Sequence, residues 1–343
     1  MSILLSPANI GGLSLKNRVA LAPMCMLEVP REDGVATPFH FAHYGARAIA
    51  NVGLIILEAT AVEPDGRIHK FDLGIWNDEQ ADQLQQLVEQ LHYLGSKVGI
   101  QLAHAGRKAK HAQRPIAPSP IAFNEQFDTP HEMTLTDIHT VQQQFVDAAR
   151  RAQQAGFDMV ELHAAHGYLI NQFLSPLTNR RQDDYGNSLH NRYRFLQEII
   201  TRTKQVFHGP IWVRLSLSAF AEGQNSLEDW QQIAQWLEAD GVQCIDVSAG
   251  GVIDVLPDIP VHEGYQVPFA TALKQVVDID IATVGLLDNP TLCESILANR
   301  QADLILQGRA LLRNTNWLAD AATALNDTEY RLFNAAYVRG QEK

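Results

Sequence analysis

The strongest constraint on this chain is an alternation. Eight short apolar runs, at residues 18–25, 54–58, 97–102, 157–162, 210–215, 244–248, 281–284 and 304–307, are separated by stretches with helical spacing. Runs that are apolar throughout fit strands of a parallel sheet covered on both faces. Between them, Leu84, Leu87, Val88, Leu91 and Leu94 recur as on one helix face before Gly95. Residues 41–51, 191–207, 226–240, 268–277 and 290–299 read as further helices. Asp78 is expected to cap the second helix, and Thr136 to open the one that Gly156 ends. Strand–helix alternation specifies a parallel sheet wrapped in helices, the α/β class. Eight units predict closure into a (β/α)8 TIM barrel. Residues 8–20 alternate around Gly11-Gly12 like a β-hairpin, placed at the barrel bottom. Residues 107–134 carry Pro115, Pro118, Pro120 and Pro130 and are too long for a plain connection. They read as a loop insertion over the mouth at the top.

The 343 residues, 46% hydrophobic and 19% charged, fit one barrel domain over 1–343, since such barrels run to about 250 residues before insertions. A net charge of −12 disfavours nucleic acid and anionic membranes, which require a basic face. The N-terminal stretch lacks a basic region and a long apolar core, so no signal peptide is expected. Cys25, Cys244 and Cys293 lie far apart, form no metal-ligand cluster, and fit a reduced, cytoplasmic chain.

In an α/β barrel the chemistry sits at the C-terminal tips of the strands. Strand four ends in His163, His166 and Tyr168. A single histidine there is most simply a packed, hydrogen-bonded residue; two histidines three apart, followed by Gly-Tyr, point to chemistry. Strand one ends in Pro23, Met24 and Cys25; strand two in Glu58 and Ala59; strand three in Gln101, then His104, Arg107 and Lys108. Strand five contributes Arg214, and strand six Ser248, Gly250 and Gly251. Gly285 follows strand seven, and Gly308-Arg309 follows strand eight. Glycines end many strands, but this pair occupies the place where barrels hold phosphate, and Arg309 adds a bidentate donor. Arg214 needs an acceptor: either Glu58 in an internal ion pair, or a heterocycle with carbonyl and ring-nitrogen acceptors also read by Gln101. Cys25 is either a small core residue or a contact of that ring. A zinc hydrolase is the rival use of the histidines, but no third ligand stands at metal-binding spacing. No metal is expected.

The chain resembles the old yellow enzyme family of flavin-dependent ene-reductases, in particular the bacterial subgroup with a cysteine after strand one. The resemblance rests on Asn17-Arg18-Val19, Ala22-Pro23-Met24-Cys25, Gln101-Leu102-Ala103-His104-Ala105-Gly106-Arg107-Lys108 and Glu161 through Leu169. It continues with Asn179-Arg180-Arg181, Asp184 through Ser188, Asn191 through Phe195, Val247 through Gly251 and Gly308 through Leu312. It implies FMN across the barrel top. Pro23, Met24, Cys25, Ala59, Gln101 and Arg214 would touch its ring, and Gly285, Gly308 and Arg309 would lie near its phosphate. NADPH or NADH would reduce the flavin. His163 and His166 would hold a substrate carbonyl oxygen and Tyr168 would supply a proton. The subgroup's tyrosine two residues after the cysteine is replaced by Leu27, which makes the substrate pocket more apolar. The tail, 327–343, with Tyr337 to Gly340, resembles one that reaches a neighbouring subunit, so a homodimer or homotetramer is expected.

The expected activity is therefore reduction of the activated C=C bond of an α,β-unsaturated carbonyl compound. The alternatives are an FMN reductase acting mainly on quinones, nitro compounds or other xenobiotics, and a non-catalytic flavin- or phosphate-binding barrel. A relative carrying an iron–sulfur cluster is disfavoured by the scattered cysteines, and a tRNA-modifying barrel by the acidic charge.

Overall fold

The computed structural model describes residues 1–254, 261–331 and 335–340. Its strands are β1 Val19–Leu21, β2 Leu54–Ala61, β3 Lys97–Ala103, β4 Met159–Ala164, β5 Ile211–Ser216, β6 Cys244–Ser248, β7 Asp280–Thr283 and β8 Leu304–Gln307. They form one closed parallel barrel, and β8 returns to β1 through the register Ile305↔Val19. Helices occupy the crossovers, so the fold is the expected (β/α)8 barrel.

Two apolar cores follow from the period-2 alternation of each strand. Outward residues meet the helices; Leu84, Leu87 and Val88 of the helix Asp78–Tyr93, with Val141 and Phe145 of Leu135–Gln154, are all buried there. Inward residues near the strand starts, including Leu54, Ile56, Met159, Trp212, Cys244, Ala282 and Leu304, fill the barrel floor. Burying one such large apolar side chain stabilises by about 1.5–3 kcal/mol. The hairpin Ala8–Ile10 with Leu13–Leu15 closes the floor from below, as expected. Trp212 Nε1 donates to the Gly11 carbonyl at 2.9 Å. A Cβ on Gly11 would stand 2.5 Å from that indole, and its φ is +56°, so only glycine serves.

Several boundaries differ from the sequence expectation. Asn77, not Asp78, caps the second helix, because Asn77 Oδ1 accepts from Gln80 N–H at 3.0 Å and Gln80 bonds back. Thr134 caps the third helix in the same way, two residues before the expected start. β1 spans only Val19–Leu21, because Pro23 has no N–H to continue the ladder. Two short helices, Leu169–Leu174 and Arg309–Arg313, follow β4 and β8 and were not anticipated.

The segment 107–134 carries a two-residue parallel pairing, Ile116–Ala117 with His131–Glu132. Arg107 ties it down, donating to the carbonyls of Ile121 at 3.2 Å, Ala122 at 3.3 Å and Val252 beyond β6. In the tail, residues 332–334 and 341–343 lie outside the described residues, and 335–340 form a 3₁₀ turn. Among the described residues no helix is long and apolar enough to cross a membrane.

Candidate active site

Parallel register gathers the polar residues. Met159, Trp212 and Cys244 face the barrel interior, so Glu161 and His163, Arg214 and Ser216, and Asp246 and Ser248 must face it too, one and two rungs higher. The ladders set Gln101 beside Glu161, His163 beside Arg214, and Arg214 beside Asp246.

At the top stand the two histidines. Their rings are perpendicular at 89°, with centroids 5.1 Å apart, and His163 Nε2 lies 3.4 Å from His166 Nδ1. His163 Nδ1 accepts the Ala165 N–H at 3.3 Å, so the neutral ring carries its proton on Nε2. Burial pushes the pKa of both rings well below the ordinary histidine value, helped by the nearby cations Arg214 and Lys108. Both are neutral at physiological pH. The Tyr168 ring packs edge-on against His163 at 4.9 Å. Burial first, then the neighbouring Cys25 and Asp72, raises its hydroxyl pKa, so the phenol keeps its proton.

The chain makes this corner with two successive left-handed residues, His166 at φ +56° and Gly167 at φ +71°. A Cβ on Gly167 would meet the Gly251 carbonyl oxygen at 2.1 Å. Lys108 Nζ donates to the carbonyls of His166 at 2.9 Å and Gly251 at 3.1 Å, and lies 4.8 Å from the Tyr168 ring centre. Burial lowers its pKa to about 8. Sequence reasoning placed Lys108 at a strand tip without a role; its proximity to Tyr168 became visible only in the fold.

Below the histidines lies a buried polar belt. Gln101 Nε2 donates to Glu161 Oε1 at 2.7 Å, and Arg214 Nε lies 3.0 Å from Asp246 Oδ2. The latter pair is ionic without being aligned for a hydrogen bond. Two carboxylates therefore share one guanidinium in a fully buried place, and burial raises the pKa of both Glu161 and Asp246. The ion pair of Arg214 with Glu58, one of the two readings open from the sequence, does not form. A register shift between Leu57 and Ala59 takes Glu58 out of the inward alternation. Glu58 instead accepts from the Tyr44 hydroxyl at 3.1 Å and from Met26 N–H at 2.8 Å. That second bond anchors the loop bearing Cys25 and Leu27. Burial, reinforced by Asp72 and Glu58, raises the Cys25 pKa, so it is a thiol rather than a thiolate. Leu27 is 43% exposed, with φ +59°.

Beside the belt, the tips of β6 to β8 enclose a cavity of about 120 Å³ lined by Arg214, Ser248, Tyr265, Gln266, Gly285, Gly308 and Arg309, among others. Arg214, Gly285, Gly308 and Arg309, separate in sequence, meet here. Gln266 Oε1 and Arg214 Nε are buried without a hydrogen-bond partner in the protein. At Gly308 a Cβ would approach Met24 Sδ at 3.2 Å, and at Gly285, with φ +120°, it would meet Tyr265 and Gln266 at 3.0 Å. An orphaned guanidinium donor, an orphaned amide acceptor and a glycine cradle fit a flat ring that carries both acceptors and a donor, with an anionic end, as FMN presents. Tyr265 and Gln266 were missed in the sequence, where nothing distinguishes them from an ordinary helix entrance. Arg309 is exposed, on the outer side of the cradle.

Comparison with known proteins agrees. The sequence profile of the NADH:flavin oxidoreductase / NADH oxidase family matches residues 3–328. An NADPH dehydrogenase of Listeria monocytogenes serotype 4b is 52% identical over 328 residues, 96% of each chain. The fold superposes on morphinone reductase with a TM-score of 0.80 at 30% identity, covering 94% of this chain and 90% of that one. It superposes on a 2-naphthoyl-CoA reductase with a TM-score of 0.88 over 94% of this chain and 52% of that one, a likeness of fold alone at 23% identity. The chain belongs to the NADH:flavin oxidoreductase / NADH oxidase family and, as its likeness to the old yellow enzymes implied, is an FMN-dependent oxidoreductase.

Proposed function

We propose that the chain takes electrons from NADPH, or from NADH, and reduces the activated C=C bond of α,β-unsaturated carbonyl compounds. The observation that carries this reading is that His163 Nε2 and His166 Nδ1 lie side by side, 3.4 Å apart, at the head of the polar belt. An oxygen placed there sits within about 2.8 Å of both nitrogens. Bound FMN supplies a hydride carrier that is reloaded by the nicotinamide. The two imidazoles, neutral and desolvated, donate to the carbonyl oxygen and stabilise the negative charge that develops on it. Tyr168 holds its proton at the phenol oxygen for delivery to the substrate α-carbon.

Pro23, Met24, Cys25, Ala59, Gln101 and Arg214 would hold the ring, and Gly285, Gly308 and Arg309 the phosphate. Arg214 is suited to the ring edge where negative charge accumulates on reduction, since its guanidinium has donors unused by Asp246. Leu27 contributes apolar surface to the substrate side. The names of two relatives, NADPH dehydrogenase and morphinone reductase, support a reductase of this kind.

The test is anaerobic spectroscopy of the FMN-loaded protein with NADPH and then 2-cyclohexenone, in wild type and in the double variant His163→Ala/His166→Ala. The flavin should bleach with NADPH in both. Reoxidation by the enone should be rapid only in wild type. Equal reoxidation in a flavin-replete double variant would remove the role given to the histidines. A wild type reoxidised by quinones or nitro compounds but not by the enone would move the activity to those acceptors.

A further inference from the structure

His166 can donate from Nδ1 only if its proton lies there, and nothing described so far has put it there. A neutral imidazole in water favours the other tautomer, with hydrogen on Nε2. The answer lies on the opposite side of the ring, where His166 Nε2 is 2.7 Å from Ser248 Oγ. Two proton arrangements are self-consistent. In one, Nε2–H donates to Ser248, and His163 Nε2–H donates to a bare His166 Nδ1. In the other, the Ser248 hydroxyl donates to a bare Nε2, and both facing nitrogens carry hydrogen.

The surroundings of Ser248 favour the second. Ser248 is buried, and among the described residues no protein acceptor other than His166 stands within reach of its proton. The neighbouring Ser216 is already committed, donating to the Gly250 carbonyl at 3.0 Å while accepting His166 N–H at 2.9 Å.

We propose that Ser248 is a positioning residue. Its hydroxyl donates to His166 Nε2, holds the ring in the Nδ1–H tautomer, and thereby makes His166 the second donor to the substrate oxygen. The effect on turnover rests on the function proposed above; the tautomer itself does not.

The experiment is 15N NMR of FMN-loaded protein labelled in the histidine rings, with Ser248→Ala and Ser248→Thr as variants. Wild type should show His166 protonated on Nδ1. Ser248→Ala should move the proton to Nε2, and Ser248→Thr, which keeps the hydroxyl, should restore Nδ1–H. In parallel, kcat/KM for 2-cyclohexenone should fall about tenfold in Ser248→Ala and recover to within about threefold in Ser248→Thr, less than the loss of an entire donor. A wild-type spectrum with the proton on Nε2 overturns the proposal, as does an Ser248→Ala spectrum that keeps Nδ1–H. If the alanine variant fails to fold, the wild-type spectrum alone decides. If wild type does not turn over the enone, the functional reading falls while the tautomer result stands.

Discussion

Arg214 and Asp246 face each other across adjacent strands at 3.0 Å, with Asp246 fully buried and Arg214 nearly so. A buried ion pair adds little net stability, but removing one partner leaves a charge with no solvent to accept it. Asp246→Ala should therefore destabilise by about 3–5 kcal/mol, and Asp246→Asn, which keeps the shape but equally leaves the guanidinium without a counter-charge, by nearly as much. Denaturant titration of the two variants tests this, and a much smaller loss in Asp246→Asn than in Asp246→Ala would show that packing rather than charge governs the site.

Asp72 gives a pH signature. Its Oδ2 accepts His69 N–H at 2.7 Å, while its Oδ1 is buried without a partner. Burial, with Glu58 nearby, raises its pKa from 3.8 to about 7. The unfolded chain releases this proton first, so the contribution of Asp72 is most favourable below pH 3.8 and declines until pH reaches about 7. Asp72→Asn has no such titration. The stability of the variant relative to wild type should climb with pH across that window and level off above it. Chemical denaturation at a series of pH values measures the difference, and a flat difference would mean that the carboxyl titrates normally.

The backbone corner after β4 admits no side chain. Gly167→Ala places a Cβ against the Gly251 carbonyl at a φ of +71°. The expected loss is about 2 kcal/mol or more, since both overlap and left-handed strain act. Thermal unfolding should show it, accompanied by weaker FMN binding if the loop after β6 shifts. Gly223→Ala is the control: it has a similar φ of +74° with its nearest neighbour atom at 3.6 Å, so it carries strain without overlap.

On the proposed function, a change at Tyr168 separates proton delivery from hydride acceptance. Tyr168→Phe keeps the ring packed on His163 and removes only the hydroxyl. Flavin reduction by NADPH should persist, while enone turnover falls by about 10²- to 10⁴-fold, the usual worth of a general acid. Stopped-flow measurement of each half-reaction distinguishes this from a general loss of binding.

The barrel was legible because its eight strands are buried on both faces, and burial on both faces writes itself as unbroken apolar runs. The strand tips were legible for the same reason: the polar residues begin where the apolar runs stop. What failed was local. Asn77 and Asp78 are both competent caps, and only the reciprocal bond with Gln80 decides between them. The alternative that paired Arg214 with Glu58 fails because one irregular residue after Leu57 turns Glu58 toward Tyr44. Asp246, by contrast, was within reach, since it stands at the inward position of the strand next to Arg214. The direction in which Ser248 orders the His166 proton depends on which acceptors its buried hydroxyl can reach, which no residue pattern encodes.

Lys108 grips the backbone of two loops at once, and Arg107 beside it grips a third point on the loop after β6. The mouth of the barrel is thus hinged shut along the arc from β3 through β4 to β6. For anyone seeking variants with new substrate preferences, that arc is poor ground, because a change there is transmitted straight into the histidine corner. On the proposed function, the opposite rim, where the exposed Leu27 stands in a loop pinned through Met26 to Glu58, is the better place to introduce diversity.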